Sequence, residues 1–389
     1  MRKPKLLRIT TVSASLHLLL KGQFGFMREH GFDVLTASAD GPEITEVKKE
    51  GIDHVIIPFT RKVTPFQDAY CIWKLVGMMS RFKPDIVHTH TPKAGLLGML
   101  TAFLLRIPVR MHTVAGLPYM EKTGVLRWVL RVTDRATCWM ATKVYPNSEA
   151  MSRILVNDLG IPISKLSMIA KGSSNGIDGK YFDTSPALRQ EALALKERLG
   201  ISPDEMVFSF AGRIVRDKGM VELAEAFKTF CIRRKARLLV LGNFEQDLDP
   251  LPPDTYHFLQ NDSRVILAGF QSDVRPWLLA SDMFVFPSYR EGFPNVVMQA
   301  CCLEVPVIAS DINGCNEIIA HETTGWLVKP KSTDALVEAM TSLSENPDLR
   351  KQLSKEARQF VTTHFDQQYI WQQLLSEYQR QLSLCTQPL

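Results

Sequence analysis

The chain has 389 residues, of which 45% are hydrophobic and 22% charged. That length suits two domains rather than one core, and that apolar content excludes a disordered chain. Seven scattered cysteines (Cys71, Cys138, Cys231, Cys301, Cys302, Cys315 and Cys385) include no C-x-x-C pair, so neither a disulfide framework nor a zinc cage is indicated. The longest nearly apolar stretch, Ala94–Leu105, is about half of the roughly 20 residues that a helical membrane span needs. The basic start leads into a strand-like run rather than a signal-peptide core, and a cytoplasmic chain is expected. The net charge of +5 conceals an asymmetry: residues 1–178 carry 24 Lys and Arg against 14 Asp and Glu, and the remainder 22 against 27. A basic first half points to an anionic partner, with nucleic acid, acidic lipid and a phosphorylated substrate all admissible on charge alone.

In chain order, short β-branched runs alternate with longer helical patterns. The first half predicts strands at Leu7–Val12, Asp33–Ala37, His54–Ile57, Ile86–Thr89, Arg110–Thr113, Lys143–Pro146 and Leu166–Ile169. The second predicts strands at Met206–Ala211, Arg237–Leu241, Val265–Ala268, Met283–Phe286, Val307–Ala309 and Gly325–Val328, with helices such as Met220–Phe230 and Asp334–Ser344 between them. This alternation is the signature of βαβ units, so the expected fold class is α/β, with two doubly wound, Rossmann-like domains. The Gly/Ser/Asn cluster Gly172–Gly179 has turn chemistry throughout and marks the boundary. The expected domains are 1–175 and 176–366, followed by a helix over 367–389 that packs on either domain.

In open parallel sheets, ligands bind beyond the carboxyl ends of the strands. One such loop, Ala211–Gly219, sets Gly212, Arg213 and Lys218 before a helix; glycines admit close backbone approach, and two cations with a positive helix end suit a departing diphosphate. Another, Pro287–Ala300, carries Glu291-Gly292-Phe293-Pro294-Asn295-Val296 into a helix, with Gln299 further along. Pro294 near the first turn leaves free N–H groups to face a phosphate, and Glu291 is placed for sugar hydroxyls. His112 ends a first-half strand. His88 and His90 are expected to alternate onto opposite faces of one strand, which argues against a metal pair and leaves them structural or cleft-lining. Asp247-Leu248-Asp249 spells a metal motif of a different fold, yet its Pro-rich setting reads as a solvated acidic turn.

Gly212-Arg213…Lys218-Gly219 followed by Glu291-Gly292-Phe293-Pro294…Gln299-Ala300 resembles the retaining glycosyltransferases of family 4, which have the GT-B fold. Supporting pieces are Val87-His88-Thr89-His90, Met111-His112-Thr113, Asn147-Ser148-Glu149 and Asn175-Gly176-Ile177-Asp178. The resemblance spans nearly the whole chain. It implies two domains with an interdomain cleft, an acceptor-binding first domain and a nucleotide-sugar-binding second. By it, Arg213 and Lys218 match the diphosphate-binding residues, Glu291 the sugar-contacting glutamate, and His112 a histidine beside the transferred sugar. The amides after Gly292 would hold phosphate. Gln299 replaces the glutamate assigned to the nucleotide ribose, and still accepts and donates hydrogen bonds. The family's first strand-to-helix loop uses glycines where this chain has Ser13 and Ser15, which with His88 and His90 form the acceptor-side set.

The implied reaction moves a sugar from a nucleoside-diphosphate donor, by resemblance a UDP-sugar, to a polyprenyl-diphosphate-linked or polysaccharide acceptor of the capsule or O-antigen kind. The nucleotide sugar is a co-substrate; no cofactor and no metal is expected. The apolar, cation-flanked segments Lys93–Arg106 and Val125–Arg131 fit either a bilayer surface or buried sheet-flanking helices. No nucleic-acid-binding module is evident. Two other readings share these residues: a nucleotide-sugar 2-epimerase of the same fold, and a noncatalytic nucleotide-sugar binder.

Overall fold

The computed structural model describes residues 2–247 and 249–386, so Leu248 of the acidic turn and the end of the expected C-terminal helix lie outside the described residues. The chain divides into two units. Unit 1 comprises the residues up to Gly176 together with those from Gln367 onward; unit 2 is Ile177–Asp366.

Unit 1 opens with β1 (Lys5–Ile9), α1 (Ser13–Leu20), α2 (Gln23–Glu29), β2 (Asp33–Ser38), α3 (Ile44–Lys49) and β3 (Asp53–Ile56). It continues with α4 (Pro65–Phe82), β4 (Ile86–His90), α5 (Pro92–Leu104), β5 (Val109–Val114), α6 (Gly124–Met140), β6 (Lys143–Pro146) and α7 (Glu149–Asn157). Unit 2 holds α8 (Pro186–Arg198), β7 (Met206–Ala211), α9 (Met220–Phe230), β8 (Ala236–Leu241), α10 (Pro253–Asn261), β9 (Val265–Gly269), α11 (Arg275–Leu279) and β10 (Met283–Phe286). It ends with α12 (Asn295–Cys302), β11 (Val307–Ser310), α13 (Cys315–Ile318), β12 (Trp326–Val328), α14 (Thr333–Glu345) and α15 (Pro347–His364), before α16 (Gln367–Thr386) returns to unit 1.

Each unit is built on one six-stranded sheet, ordered β3-β2-β1-β4-β5-β6 in unit 1 and β12-β11-β10-β7-β8-β9 in unit 2. All the paired strands run parallel. Central strands such as β4 are buried along their whole length, as a sheet covered by helices on both faces requires. Proline begins α4, α5 and α8, where its missing N–H breaks no helical bond. The strand order reverses direction between β1 and β4 in unit 1, and between β7 and β10 in unit 2, so the crevices suited to ligands open there.

In unit 1 one core lies on the α4/α5 face of the sheet, around Leu7, Ile9, Val87, Leu97 and Met99. A second lies on the opposite face, where Leu374, Leu375 and Tyr378 of α16 join Leu6, Phe24 and Met111. Two expectations need correction. Leu166–Ile169 is not a strand: Leu166 alone bridges Val144, because a 3₁₀ turn over Ile163–Lys165 feeds straight into the loop. Residues two apart on a strand share a face, so His88 and His90 do not diverge; their rings stack 4.6 Å apart.

Candidate active site

Adjacent strands β7 and β10 bring the two motif-bearing loops of unit 2 together at their carboxyl ends. Gly219 takes φ +71°, and a Cβ there would lie 2.0 Å from the Pro287 carbonyl oxygen, so only glycine lets the loop after β7 press against the end of β10. The result is an ion pair: Lys218 Nζ donates to Glu291 Oε1 at 2.6 Å, with the two side chains 12% and 16% exposed. A pair this short and this desolvated is electrostatically stronger than a surface pair. Gly292, Phe293 and Pro294 lead from Glu291 into α12, and the Phe293 ring meets Phe365 edge-on at 5.0 Å. The N–H groups of Asn295 and Val296 precede the first bond of that end, in which Val297 N donates to Pro294 O. Half-buried Gln299 sits one turn further along, and its side chain has no hydrogen-bond partner among the described residues.

Arg213 is more open, reaching Glu245 at 3.3 Å and Asp217 at 3.7 Å. Around these residues lies a supporting shell that the sequence reading missed. Asp217 accepts from Arg290 at 3.0 Å, and its backbone N–H donates to Asp249 Oδ2 at 2.6 Å. Asp249 is thus not a solvated turn residue but a brace for the loop holding Lys218. The Tyr289 N–H donates to the Asp217 carbonyl oxygen, and its hydroxyl contacts both Glu222 oxygens at 2.8 Å. Burial and that carboxylate push the Tyr289 phenol well above its ordinary range. The available signal was the density of charge in Arg213–Lys218 and Tyr289–Glu291, which needs internal counter-charges.

In unit 1, His112 lies on the α5 face of the sheet, only 6% exposed. Its Nδ1 pairs with Thr89 Oγ1 at 2.8 Å, while Nε2 has no hydrogen-bond partner among the described residues. Gly95 makes room for it: a Cβ there would stand 2.5 Å from the ring. Burial lowers the His112 pKa to about 4, so the imidazole is neutral at physiological pH and offers one nitrogen for a hydroxyl. Ser13 is buried and spends its hydroxyl on Glu43 at 2.6 Å, whereas Ser15 is half-buried near the start of α1. His88 and His90 face away from His112, on the α16 side of the sheet, and are nearly fully buried.

Of the two cation-flanked segments, α5 is largely a buried sheet-flanking helix, with Ala94, Leu97, Met99 and Ala102 inside. α6 is different: Val125, Trp128 and Val132 form an exposed apolar stripe, at 79%, 64% and 45% exposure, beside exposed Arg127, Arg131 and Arg135. Among the described residues no helix is long and apolar enough to cross a membrane.

Residues 192–360 match the family model described as glycosyl transferases group 1, and residues 26–172 match that of the glycosyl transferase 4-like domain. The chain is 33% identical over 379 residues to the capsular polysaccharide biosynthesis glycosyltransferase CapM of Staphylococcus aureus, covering 97% of each protein. The chain belongs to the family 4 glycosyltransferases. A second relative within reach of this family is the UDP-Gal:alpha-D-GlcNAc-diphosphoundecaprenol alpha-1,3-galactosyltransferase of Escherichia coli, 26% identical over 355 residues and 88% of each chain. Among solved structures, Anabaena Alr3699/HepE in complex with UDP and glucose superposes with a TM-score of 0.82 at 19% identity, over 97% of this chain and 100% of that one. The fold is GT-B, and the enzyme class is glycosyltransferase.

Proposed function

We propose that this glycosyltransferase moves a sugar, with retention of configuration and without a metal, from a UDP-sugar held on unit 2 to a polyprenyl-diphosphate-linked sugar in cell-surface polysaccharide assembly. The observation that carries this reading is the Lys218–Glu291 pair beside the first turn of α12. It sets together a cation and free amides for a diphosphate and a carboxylate for sugar hydroxyls. The acceptor class rests on the Escherichia coli relative, whose name specifies a diphosphoundecaprenol-linked acceptor and a UDP-sugar donor.

In this mechanism Arg213, Lys218 and the amides of Asn295 and Val296 hold the diphosphate as negative charge builds on it. Gln299 reaches the ribose, and Glu291 orients the sugar and tolerates positive charge at its anomeric carbon. The bond from that carbon to the phosphate oxygen breaks as the bond to the acceptor oxygen forms on the same face. The departing phosphate oxygen takes the acceptor's proton. His112 of unit 1 offers its neutral Nε2 to a hydroxyl. Stabilising the leaving diphosphate supplies the main part of the catalysis, as charge-directed donors in a desolvated site do. The exposed stripe of α6, apolar with arginines alongside, is the contact with the anionic cytoplasmic face of the membrane.

The test is a mass-spectrometric transfer assay with UDP-, GDP- and dTDP-sugars and a short polyprenyl-diphosphate sugar, in EDTA. Mass gain on the lipid from one donor supports the reading. A donor altered without acceptor would replace transfer by epimerisation, and saturable donor binding without turnover on any acceptor would leave a binding protein. Flotation with anionic vesicles that is unchanged in the double variant Trp128→Ser, Val132→Ser removes the membrane contact from it.

A further inference from the structure

Arg8 lies mid-strand in β1 with no exposed surface. Its NH1 donates to Gln23 Oε1 and to the Tyr378 hydroxyl of α16, both at 2.7 Å, its NH2 contacts His90 Nε2 at 2.7 Å, and the Phe24 ring lies 5.6 Å from it. Its Nε–H has no partner, and no carboxylate pairs with it among the described residues. A buried guanidinium without a counter-charge is among the costliest groups to place in a protein interior.

The protons around it can be placed. A guanidinium only donates, so His90 Nε2 accepts and its proton sits on Nδ1. The Tyr378 oxygen accepts from Arg8 and gives its own hydrogen to His88 Nδ1, 2.7 Å away. His88 Nε2–H then donates to Thr113 Oγ1 at 2.8 Å, which leaves the Thr113 hydrogen free. Burial and the charge of Arg8 hold both imidazoles well below their usual pKa, consistent with this neutral arrangement. These groups, with Asn147 and Ser173, line a small, partly open cavity of about 20 Å³. His90 Nδ1 and Thr113 keep hydrogens free to donate, and the charge of Arg8 lies buried beside them. The unpartnered acceptor there, Asn147 Oδ1, belongs to an amide that presents N–H donors instead when turned about its bond.

We propose that this cavity is a binding site for a single small inorganic anion of chloride size, which supplies the counter-charge that Arg8 lacks and ties α16 to β1 and β4. A volume of about 20 Å³ suits a monatomic ion. The site lies wholly within unit 1, on the sheet face opposite His112, and does not depend on the transfer reaction.

The test uses the full chain. Thermal unfolding is followed in sodium gluconate and in sodium bromide at equal ionic strength, and crystals grown without halide are soaked in bromide. Bound bromide gives an anomalous peak beside Arg8 and Thr113 and raises the melting temperature by about 3 °C, saturating with concentration, as ligand binding to the folded state alone requires. Arg8→Met abolishes the halide dependence. Equal melting in both salts, or a peak-free cavity filled by water, overturns the proposal. The anomalous measurement is made on the unaltered protein and decides the matter even where Arg8→Met fails to fold.

Discussion

Each unit sets a basic side chain among polar groups at its sheet, and the two are partnered in opposite ways. Lys218 of unit 2 touches a carboxylate, Glu291, at 2.6 Å. Arg8 of unit 1 has only neutral partners in Gln23, Tyr378 and His90. Lys218 sits in a loop at the strand ends, where on the proposed function a substrate arrives and leaves and the carboxylate keeps the site neutral between turnovers. Arg8 sits in a strand interior, covered by α16. A cation that serves an exchanging diphosphate carries its own substitute for that diphosphate; a cation that serves the fold does not. On the proposed function, then, Glu291 has a second role: it competes with the diphosphate for Lys218 and so weakens the hold on spent nucleotide.

The sharpest way to break this contrast is Lys218→Ala, expected to lower turnover by about 10²–10³-fold, the range for loss of one charge-directed donor, measured on protein still folded by circular dichroism, since Glu291 left unpaired lowers stability. Near-normal transfer would remove Lys218 from the reaction. Glu291→Gln separates its two roles: turnover falls by roughly 10²-fold, while UDP binds several-fold more tightly by calorimetry, because the competing charge has gone. Weaker or unchanged UDP binding would show that the ion pair does not compete. For unit 1, acid is the probe. The His112 pKa is lowered by burial to about 4, below its unfolded value of about 6.5, so the unfolded chain binds the proton first. Its contribution is complete above pH 6.5 and is lost as pH falls toward 4, roughly 3 kcal/mol from this group. His88 and His90, lowered in the same sense, steepen the loss. The buried Asp134 carboxyl of the same unit, raised to about 7, acts in the opposite sense over that interval, so the check is His112→Asn, which should flatten the loss of stability between pH 6.5 and 4; an unchanged slope would count against it. The smallest effect is expected from Tyr378→Phe, which leaves Arg8 NH1 and His88 Nδ1 each short of a partner, at about 1–3 kcal/mol in denaturant unfolding.

The alternation of β-branched runs and helical spacings was enough to read α/β architecture and most strands, because central parallel strands are continuous apolar runs. Leu166–Ile169 has the same local composition yet forms a single bridge, since a strand also needs a neighbour with which to pair. The Gly212…Lys218 and Glu291…Gln299 spacings were legible as motifs. The 2.6 Å contact between Lys218 and Glu291 was not, because it depends on β7 and β10 lying side by side. Asp249 looked like a solvated acid for the same reason: its partner is the backbone N–H of Asp217, 32 positions earlier. The His88 and His90 reading failed on geometry that the sequence does contain, the two-residue period of a strand. No local pattern links Arg8 to Tyr378, 370 positions away.

That last distance also sets an order of events. Unit 1 is discontinuous: its first strand is made before unit 2 and the helix that covers it after unit 2. During synthesis, unit 2 is complete before α16 emerges, and until then the apolar ground later occupied by Leu374, Leu375 and Tyr378 stays open to solvent. The first unit to be made is therefore the last to be finished, and a ribosome stalled before α16 leaves it without its closing helix.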